Sequence, residues 1–281
     1  MIVADYQTNR FPTWCPGCGD FGIWGALKTS WVKMGWNPWD FAIVFGIGCS
    51  GNMADFIKVY GFHSLHGRAL PNAVGLKIAN HKLPVVVVAG DGDCYGEGGN
   101  HFIHTCRGNH DISLVVHDNR VYGLTTGQVA PTATQGFKSK STPDGIIEVR
   151  INPLALAITQ GATFVAQGFA GDIPHLTQLL IDSYNHRGFS VVNVLQPCVT
   201  FNKINTYMYY REHTYKLDSS HNPQDKISAL TKVMDDERIP LGILYKEERK
   251  TYEQSLNQIA TNTLVEKPYN LNLNSLLNEF K

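Results

Sequence analysis

The feature that most constrains the fold is a series of short, unbroken apolar runs separated by helical patterns. Four of these runs are interpreted as strands: residues 41–45, 85–89, 112–116 and 190–195. They are rich in β-branched residues and lack polar alternation, which is typical of strands buried on both faces. Apolar residues at helical spacing predict helices over residues 69–81 and 173–186, the second capped by Asp172. The alternation predicts an α/β protein with a doubly wound, mainly parallel sheet and helices on both faces.

The chain changes character near residue 205. Residues 1–205 carry the strand–helix alternation and are predicted to form the α/β domain. Residues 206–281 begin with an aromatic stretch at 207–215 and then become polar. They predict a C-terminal extension with one or two helices that packs on the core or on a partner. Residues 125–138 are predicted to form a long loop without secondary structure and residues 139–150 a surface segment; loops of that length are usually functional or mobile.

Composition excludes several classes of function. The 281 residues contain 24 Lys and Arg against 24 Asp and Glu, so there is no bulk charge for binding nucleic acid or anionic membrane. No apolar run approaches the roughly 20 residues of a membrane-spanning helix. Asp5 stands where a signal peptide would be apolar, which predicts a cytoplasmic protein. Six cysteines are too few for a disulfide scaffold at this length, and in a reducing compartment they indicate metal, redox chemistry or burial.

The segment GIGCSG at residues 46–51 follows the first strand and matches the pattern G-x-G-x-x-G. A dinucleotide-binding fold also needs an acidic residue about 20 positions further on. No Asp or Glu lies between Asp55 and Asp91, so the nicotinamide interpretation is disfavoured. What remains is a tight glycine turn at which the backbone approaches a ligand closely.

Acidic and amide side chains follow the next two strands. Asp91 lies in the segment GDGD at residues 90–93, and Asn119 follows the third strand. Because the carboxyl ends of parallel strands meet at one edge, these groups are expected to converge. Mg²⁺ prefers oxygen ligands and shares them with phosphates, so Asp91, Asn119 and a backbone carbonyl just after it predict a cation on a diphosphate. A calcium loop is disfavoured by Tyr95 and Phe102 at ligand positions, and a plain acidic turn is the weaker alternative.

Cysteines form a third group of candidate ligands. Four of them fall in loops: Cys15, Cys18, Cys49 and Cys198. Four thiolates hold either Zn²⁺ or a [4Fe–4S] cluster. One C-x-x-C pair with two distant single cysteines leaves three alternatives open, namely cluster, zinc and incidental burial. Cys94 and Cys106 lack a close partner and are predicted to be buried and inert.

A basic motif, HSLHGR at residues 63–68, precedes the first predicted helix. His66 and its neighbours there can receive a diphosphate at a helix start, although a pair of histidines is more often structural. His101 and His104 lie one helical turn apart without a nearby carboxylate, and no function is assigned to them.

Taken together, these motifs resemble the β subunit of the 2-oxoacid:ferredoxin oxidoreductases that are built from separate chains. The resemblance covers most of the chain. Its segments are WCPGCG at 14–19, GIGCSG at 46–51, HGRALP at 66–71, GDGD at 90–93, DNRVYG at 118–123, TGQ at 126–128, PT at 131–132, PCVTF at 197–201 and IPLGILY at 239–245. Each motif alone is weak, whereas the ordered set is highly specific.

The resemblance implies a thiamine diphosphate-binding fold, with residues 1–205 forming the domain that binds the cofactor and Mg²⁺ and carries the cluster loops. Asp91, Asn119 and the Val121 carbonyl match the family's Mg²⁺ ligands. The segments that match its cofactor contacts comprise Ile47, Gly48, Cys49, Ser50, His66, Gly90, Asp91, Gly92, Asp93, Asn119, Gly123 and Leu124. The four loop cysteines match the ligands of one [4Fe–4S] cluster, and zinc becomes a minor alternative.

The implied reaction is the coenzyme A-dependent oxidative decarboxylation of a 2-oxoacid to an acyl-CoA and CO₂, with electrons passing through the cluster to ferredoxin. The activating glutamate is expected on an α subunit, in a heterodimer or heterotetramer, because Glu97 is too close to the metal motif and no other Glu precedes Glu148. Thr126 departs from the family pattern, so no coenzyme A contact is carried over to it. The competing hypotheses are a non-redox thiamine-dependent decarboxylase half-chain with structural zinc and a zinc-stabilised binding scaffold.

Overall fold

A computed structural model describes residues 1–235, 237–267 and 272–280. The strands are β1 (Ala42–Phe45), β2 (Tyr60–His63), β3 (Val85–Gly90), β4 (Ser113–Asp118), β5 (Val121–Tyr122), β6 (Gln128–Val129), β7 (Phe164–Phe169), β8 (Ser190–Leu195), β9 (Thr214–Lys216) and β10 (Ile239–Lys246). The helices are α1 (Asp20–Met34), α2 (Ala69–Ala79), α3 (Gly99–Gly108), α4 (Pro153–Gln160), α5 (Ile173–Asn185), α6 (Tyr207–His213), α7 (Lys226–Val233) and α8 (Leu273–Asn278).

Eight strands form one sheet in the order β2-β1-β3-β4-β8-β7-β10-β9. The first six strands in this order are parallel to their neighbours. β10 then runs antiparallel to β7, with a bulge between Ile243 and Tyr245, and β9 lies parallel to β10. β5 and β6 form a separate two-stranded hairpin. The predicted mainly parallel sheet is confirmed.

Helices cover both faces of this sheet, and the valines of β3 show why. Val85 and Val87 pack into a core with α2, α3, α4 and α7, whereas Val86 and Val88 pack into a second core with α1 and α5. Because successive side chains of a strand point to opposite faces, a run of four valines serves two apolar layers. The doubly wound arrangement is therefore confirmed.

The four predicted strands and both predicted helices form close to their expected limits, and the Asp172 side chain caps α5 by accepting from the His175 N–H at 3.2 Å. Strand β2 was not predicted, because all four of its residues are exposed at the sheet edge and make no apolar run. The prediction of a structureless loop over residues 125–138 was wrong, because the segment contains β6 paired with β5. Residues 139–150 are largely exposed, as expected of a surface segment.

The C-terminal extension adds structure to the sheet edge. Its described part contains α6, α7 and α8, which is more helix than the sequence predicted, together with β9 and β10. Tyr210 of α6 is fully buried against Phe169 of β7, with ring centroids 5.6 Å apart. This part of the aromatic stretch packs on the chain's own sheet, while the division at residue 205 stays a prediction. None of the helices in the described ranges has the length and apolarity needed to cross a bilayer.

Close packing at the start of α1 yields a stability prediction. An added Cβ at Gly22 would lie 2.2 Å from the carbonyl oxygen of Ala170, whereas one at Gly25 meets nothing within 4 Å. We expect Gly22→Ala to lower the free energy of unfolding by about 1–3 kcal/mol through overpacking against backbone. Gly25→Ala in the same helix is the control and is expected to raise it by about 0.5–1 kcal/mol. Urea denaturation measures both, and equal stability of the two variants contradicts the packing.

Candidate active site

A cleft opens at the carboxyl ends of β1, β3 and β4, where ligands bind in open α/β sheets. Its empty volume is about 430 Å³, counting the solvent space at its mouth, within the roughly 300–1,000 Å³ typical of small-molecule sites. All twelve residues that were assigned to the cofactor from the sequence line this cleft, as does Val121. The structure therefore brings the predicted residues together, and their contact with a cofactor stays a prediction.

Asp91 lines the cleft directly after β3, with 1% of its surface exposed. One carboxylate oxygen accepts a hydrogen bond from the Arg120 N–H at 2.8 Å and another from the Thr132 hydroxyl. Burial raises the pKa of the Asp91 carboxyl well above its ordinary value, and the nearby Asp118 raises that pKa further. Two buried carboxylates side by side favour a cation, because a bound cation offsets both the desolvation and the repulsion.

The turn after β4 supplies the other predicted cation ligands. Arg120 adopts a left-handed conformation with φ of 65°, and its N–H donates to Asp91. The Asn119 side-chain oxygen accepts from the Val121 N–H at 2.9 Å. Asn119, Val121 and Asp91 all line the same cleft, so one carboxylate, one amide and one backbone carbonyl lie at the same edge. This is the set of oxygen donors that Mg²⁺ prefers.

The glycine turn after β1 forms a second wall. Gly48 has φ of 105°, which only glycine adopts without strain. The adjacent Ser50 is buried, and its hydroxyl has no hydrogen-bond partner among the described residues. Buried polar groups in native proteins are almost always paired, so an unpaired hydroxyl lining a cleft fits a polar ligand such as a diphosphate.

The basic motif contributes only one of its side chains. His66 lines the cleft and its Nδ1 lies 3.1 Å from an Asp93 carboxylate oxygen. The same oxygen accepts from the Gly67 N–H at 2.8 Å. Burial raises the pKa of Asp93, and the contacts with Gly67 and His66 act in the opposite direction. His63 and Arg68 are exposed and lie outside the lining of the cleft.

Of the four loop cysteines, Cys49 lines the cleft, and the sulfurs of Cys49 and Cys198 both lie near Gly123. An ideal Cβ on Gly123 would be 3.3 Å from the Cys49 sulfur and 4.0 Å from the Cys198 sulfur. The indole N–H of Trp14 donates to the Cys49 carbonyl at 2.8 Å, which ties the loop of Cys15 and Cys18 to the glycine turn. The fold therefore brings all four loops to one side of the cleft.

Their electrostatic environment links these thiols to each other. Burial raises the pKa of Cys49 to about 12, with further contributions from Asp20, Cys198 and Cys15. The Cys18 thiol donates to an Asp20 carboxylate oxygen at 3.3 Å and its sulfur accepts from the Gln196 amide at 3.2 Å. Across residues 1–235, 237–267 and 272–280, no three Cys, His, Asp or Glu side chains converge closely enough to hold a single metal ion.

Three further residues that were not selected from the sequence line the cleft: His117, Tyr122 and Thr125. Tyr122 donates its hydroxyl proton to the Gly92 carbonyl at 3.0 Å. Thr125 and Thr126 are both exposed. Unlike Thr125, Thr126 lies outside the lining of the cleft, and it adopts a left-handed φ of 77°. His117 sits inside a strand that reads as apolar, and sequence alone does not tell which face of a buried strand meets a cleft.

Comparisons of this chain with known proteins all indicate the same family. A family model described as "Thiamine pyrophosphate enzyme, C-terminal TPP binding domain" matches residues 46–194, which is more than half of the chain. A second model, which describes the C-terminal region of the pyruvate ferredoxin oxidoreductase beta subunit, matches residues 198–261. Together they span most of the sheet, the cleft and most of the C-terminal extension.

Individual relatives agree with the family models. The chain is 41% identical to "2-oxoacid:ferredoxin oxidoreductase 1, subunit beta" of Aeropyrum pernix, covering 95% of this chain and 88% of that one. It is 44% identical to "2-oxoacid:ferredoxin oxidoreductase subunit beta" of Saccharolobus solfataricus, covering 91% and 88%. Its structure superimposes, with a TM-score of 0.93 and 37% identity, on a chain of the "2-oxoglutarate:ferredoxin oxidoreductase from Magnetococcus marinus with 2-oxoglutarate, coenzyme A and succinyl-CoA bound", covering 100% of this chain and 96% of that one. The chain belongs to the β subunits of the 2-oxoacid:ferredoxin oxidoreductases.

Proposed function

We propose that this β subunit binds the diphosphate of thiamine diphosphate through Mg²⁺ held by Asp91, Asn119 and the Val121 carbonyl. The observation that carries the proposal is the cleft itself. Its lining includes the buried carboxyl group of Asp91, whose charged form is disfavoured by burial, together with the glycine turn and the unpaired hydroxyl of Ser50. Those features suit a divalent cation and an anion that bind together.

When bound, thiamine diphosphate supplies the carbon nucleophile and the electron sink that decarboxylation of a 2-oxoacid requires. The residues of this chain bind and orient it. Asp91 and Asn119 would hold the cation, which would balance the charge of the diphosphate, and the glycine turn would let backbone N–H groups approach the phosphates. Asp93 holds His66 and the Gly67 N–H at the cleft wall. The coupled reaction is the coenzyme A-dependent oxidation of a 2-oxoacid to an acyl-CoA and CO₂, carried out in the cytoplasm.

We infer that Cys15, Cys18, Cys49 and Cys198 hold one [4Fe–4S] cluster that passes electrons to ferredoxin. Their loops surround one side of the cleft, so electrons leaving the site have a short route to the sulfurs. The sulfurs of Cys49 and Cys198 both lie near Gly123, and Cys49 interacts electrostatically with Cys15, Cys18 and Cys198, which suits four thiolates around one cluster. Thiolate ligands must lose their protons, and iron offsets the burial that raises the pKa of Cys49.

The activating carboxylate is proposed to come from an α subunit. No glutamate is among the described residues that line the cleft. Glu97 and Glu148 are both exposed. The cofactor therefore lies between two chains, one supplying the cation and diphosphate site and the other the group that activates the aminopyrimidine.

Replacement of Asp91 tests the cation site. In the enzyme assembled with its α partner, we expect Asp91→Ala to weaken thiamine diphosphate binding at least about 100-fold, since losing a charged metal ligand costs several kcal/mol. The apoprotein should keep its thermal stability, because a buried carboxylate with a raised pKa is removed. Equilibrium dialysis and thermal unfolding measure the two effects.

The control is Glu253→Gln, which changes another buried carboxylate, one that contacts His110 away from the cleft. It should leave cofactor binding unchanged. Unaltered cofactor content in Asp91→Ala is incompatible with the assignment.

Serine substitutions test the cluster. We expect Ser at any of the four loop cysteines to lower iron content and ferredoxin reduction together, because the ligands of a cluster act as one set. The control is Cys106→Ala, which removes a buried thiol of α3 in the other apolar core; this variant should retain its iron. Iron and acid-labile sulfide are assayed on anaerobically purified protein. Stoichiometric zinc in place of iron in the wild type overturns the cluster and favours the non-redox alternative.

Dependence on the α partner tests the overall function. We expect no 2-oxoacid- and coenzyme A-dependent reduction of a viologen dye by the β chain alone, and activity once the α chain is added, because the activating carboxylate lies on the partner. Full turnover by the isolated β chain would refute the divided site. Several 2-oxoacids, including pyruvate and 2-oxoglutarate, are compared in the same assay.

A further inference from the structure

His117 is a buried histidine that the proposed function leaves without a role. It lies near the end of β4, opposite Gly90 of β3 and Val194 of β8 in the sheet. Only 1% of its side chain is exposed, and the residue is among those that line the cleft. Its Nδ1 lies 2.6 Å from a carboxylate oxygen of Asp20, which is itself fully buried in the first turn of α1.

The contact with Asp20 determines what the other ring nitrogen offers. A carboxylate only accepts hydrogen bonds, so it selects the tautomer in which the Nδ1 of His117 carries the proton. In the neutral imidazole, Nε2 is then a lone-pair acceptor. It is buried and has no hydrogen-bond partner among the described residues. The second oxygen of Asp20 accepts from the Cys18 thiol at 3.3 Å as long as that thiol keeps its proton.

A buried acceptor that lines a ligand cleft requires a donor from the ligand. Phosphate oxygens carry no proton to donate at neutral pH. A water bound to Mg²⁺ does, and Mg²⁺ usually keeps waters in its octahedral shell. The proposed cation ligands lie close to His117 in the fold. Asn119 is two residues beyond it in the chain. Gly90 is paired with His117 in the sheet, and Asp91 directly follows Gly90.

We propose that His117 is a positioning residue whose Nε2 accepts a hydrogen bond from a water molecule on the divalent cation, with Asp20 fixing the tautomer. The inference rests on the proposed cation–diphosphate site and deepens it. Groups that orient metal ligands from outside the coordination shell commonly change metal affinity 10- to 100-fold.

A magnesium titration of the assembled αβ enzyme tests the hydrogen bond. Thiamine diphosphate is kept in excess, the Mg²⁺ concentration is varied, and the bound cofactor is measured by equilibrium dialysis. We expect His117→Leu to weaken the apparent Mg²⁺ affinity about tenfold, the loss of one charge-assisted hydrogen bond. His117→Gln, which retains an acceptor oxygen, should restore most of it. Because His117→Leu leaves Asp20 buried without its partner, Asp20→Asn is the second variant. Asp20→Asn removes the carboxylate that keeps the proton on Nδ1 of His117. It should therefore weaken Mg²⁺ binding, by a smaller factor than His117→Leu does.

The matched control is His110→Leu. His110 also pairs with a buried carboxylate, Glu253, at 2.7 Å, but it precedes the opposite end of β4 and lies outside the cleft. It should lower thermal stability without changing Mg²⁺ affinity. An equal loss of affinity in His110→Leu, or none in His117→Leu and Asp20→Asn, overturns the proposal. Absence of Mg²⁺-dependent cofactor binding in the wild type overturns the proposed function instead.

Solid-state nitrogen-15 spectra of a histidine-labelled β chain, assembled with unlabelled α partner, give a readout that a merely structural role does not move. The Nε2 signal of His117, assigned by its loss in His117→Gln, should stay in the range of unprotonated imidazole nitrogen. It should shift when Mg²⁺ and thiamine diphosphate are added. A protonated Nε2, or a signal that does not respond to the cofactor, overturns the acceptor role.

Discussion

The structure depends on one constraint, namely that six neighbouring parallel strands must be covered on both faces. Parallel strands are joined by crossovers, which place helices against both sides of the sheet. The valines of β3 serve both layers at once, with Val85 and Val87 in one core and Val86 and Val88 in the other. The same connectivity makes every parallel strand end at one edge, where the chain must leave the sheet in a loop.

That edge concentrates charge inside a largely apolar protein. Asp91, Asp93 and Asp118 are all buried there, and burial raises the pKa of both Asp91 and Asp93. The fold holds these groups with backbone N–H donors of Arg120 and Gly67, which position the carboxylates without neutralising them. A divalent cation is the natural counter-charge. The proposed cation would offset this cost of burying carboxylates.

A second line of buried polar groups connects the cleft with the cysteine loops. It runs from His117 through Asp20 to the Cys18 thiol, with contacts of 2.6 and 3.3 Å. Trp14 adds a separate tie from the first loop to the carbonyl of Cys49. The two proposed cofactor sites therefore share their supporting residues, so a substitution at Asp20 is expected to disturb both.

The sequence by itself indicated the parallel sheet, because apolar runs such as 85–89 have no polar alternation, are rich in β-branched residues and alternate with helical patterns. It also determined which residues end those strands, so Asp91 and Asn119 were predictable as neighbours from topology alone. Edge strand β2 was not predictable, because its exposed residues leave no periodic signal. Only the tertiary structure decided that His117 faces the cleft and pairs with Asp20. That pairing joins positions 97 residues apart. It depends on the face of β4 against which α1 packs.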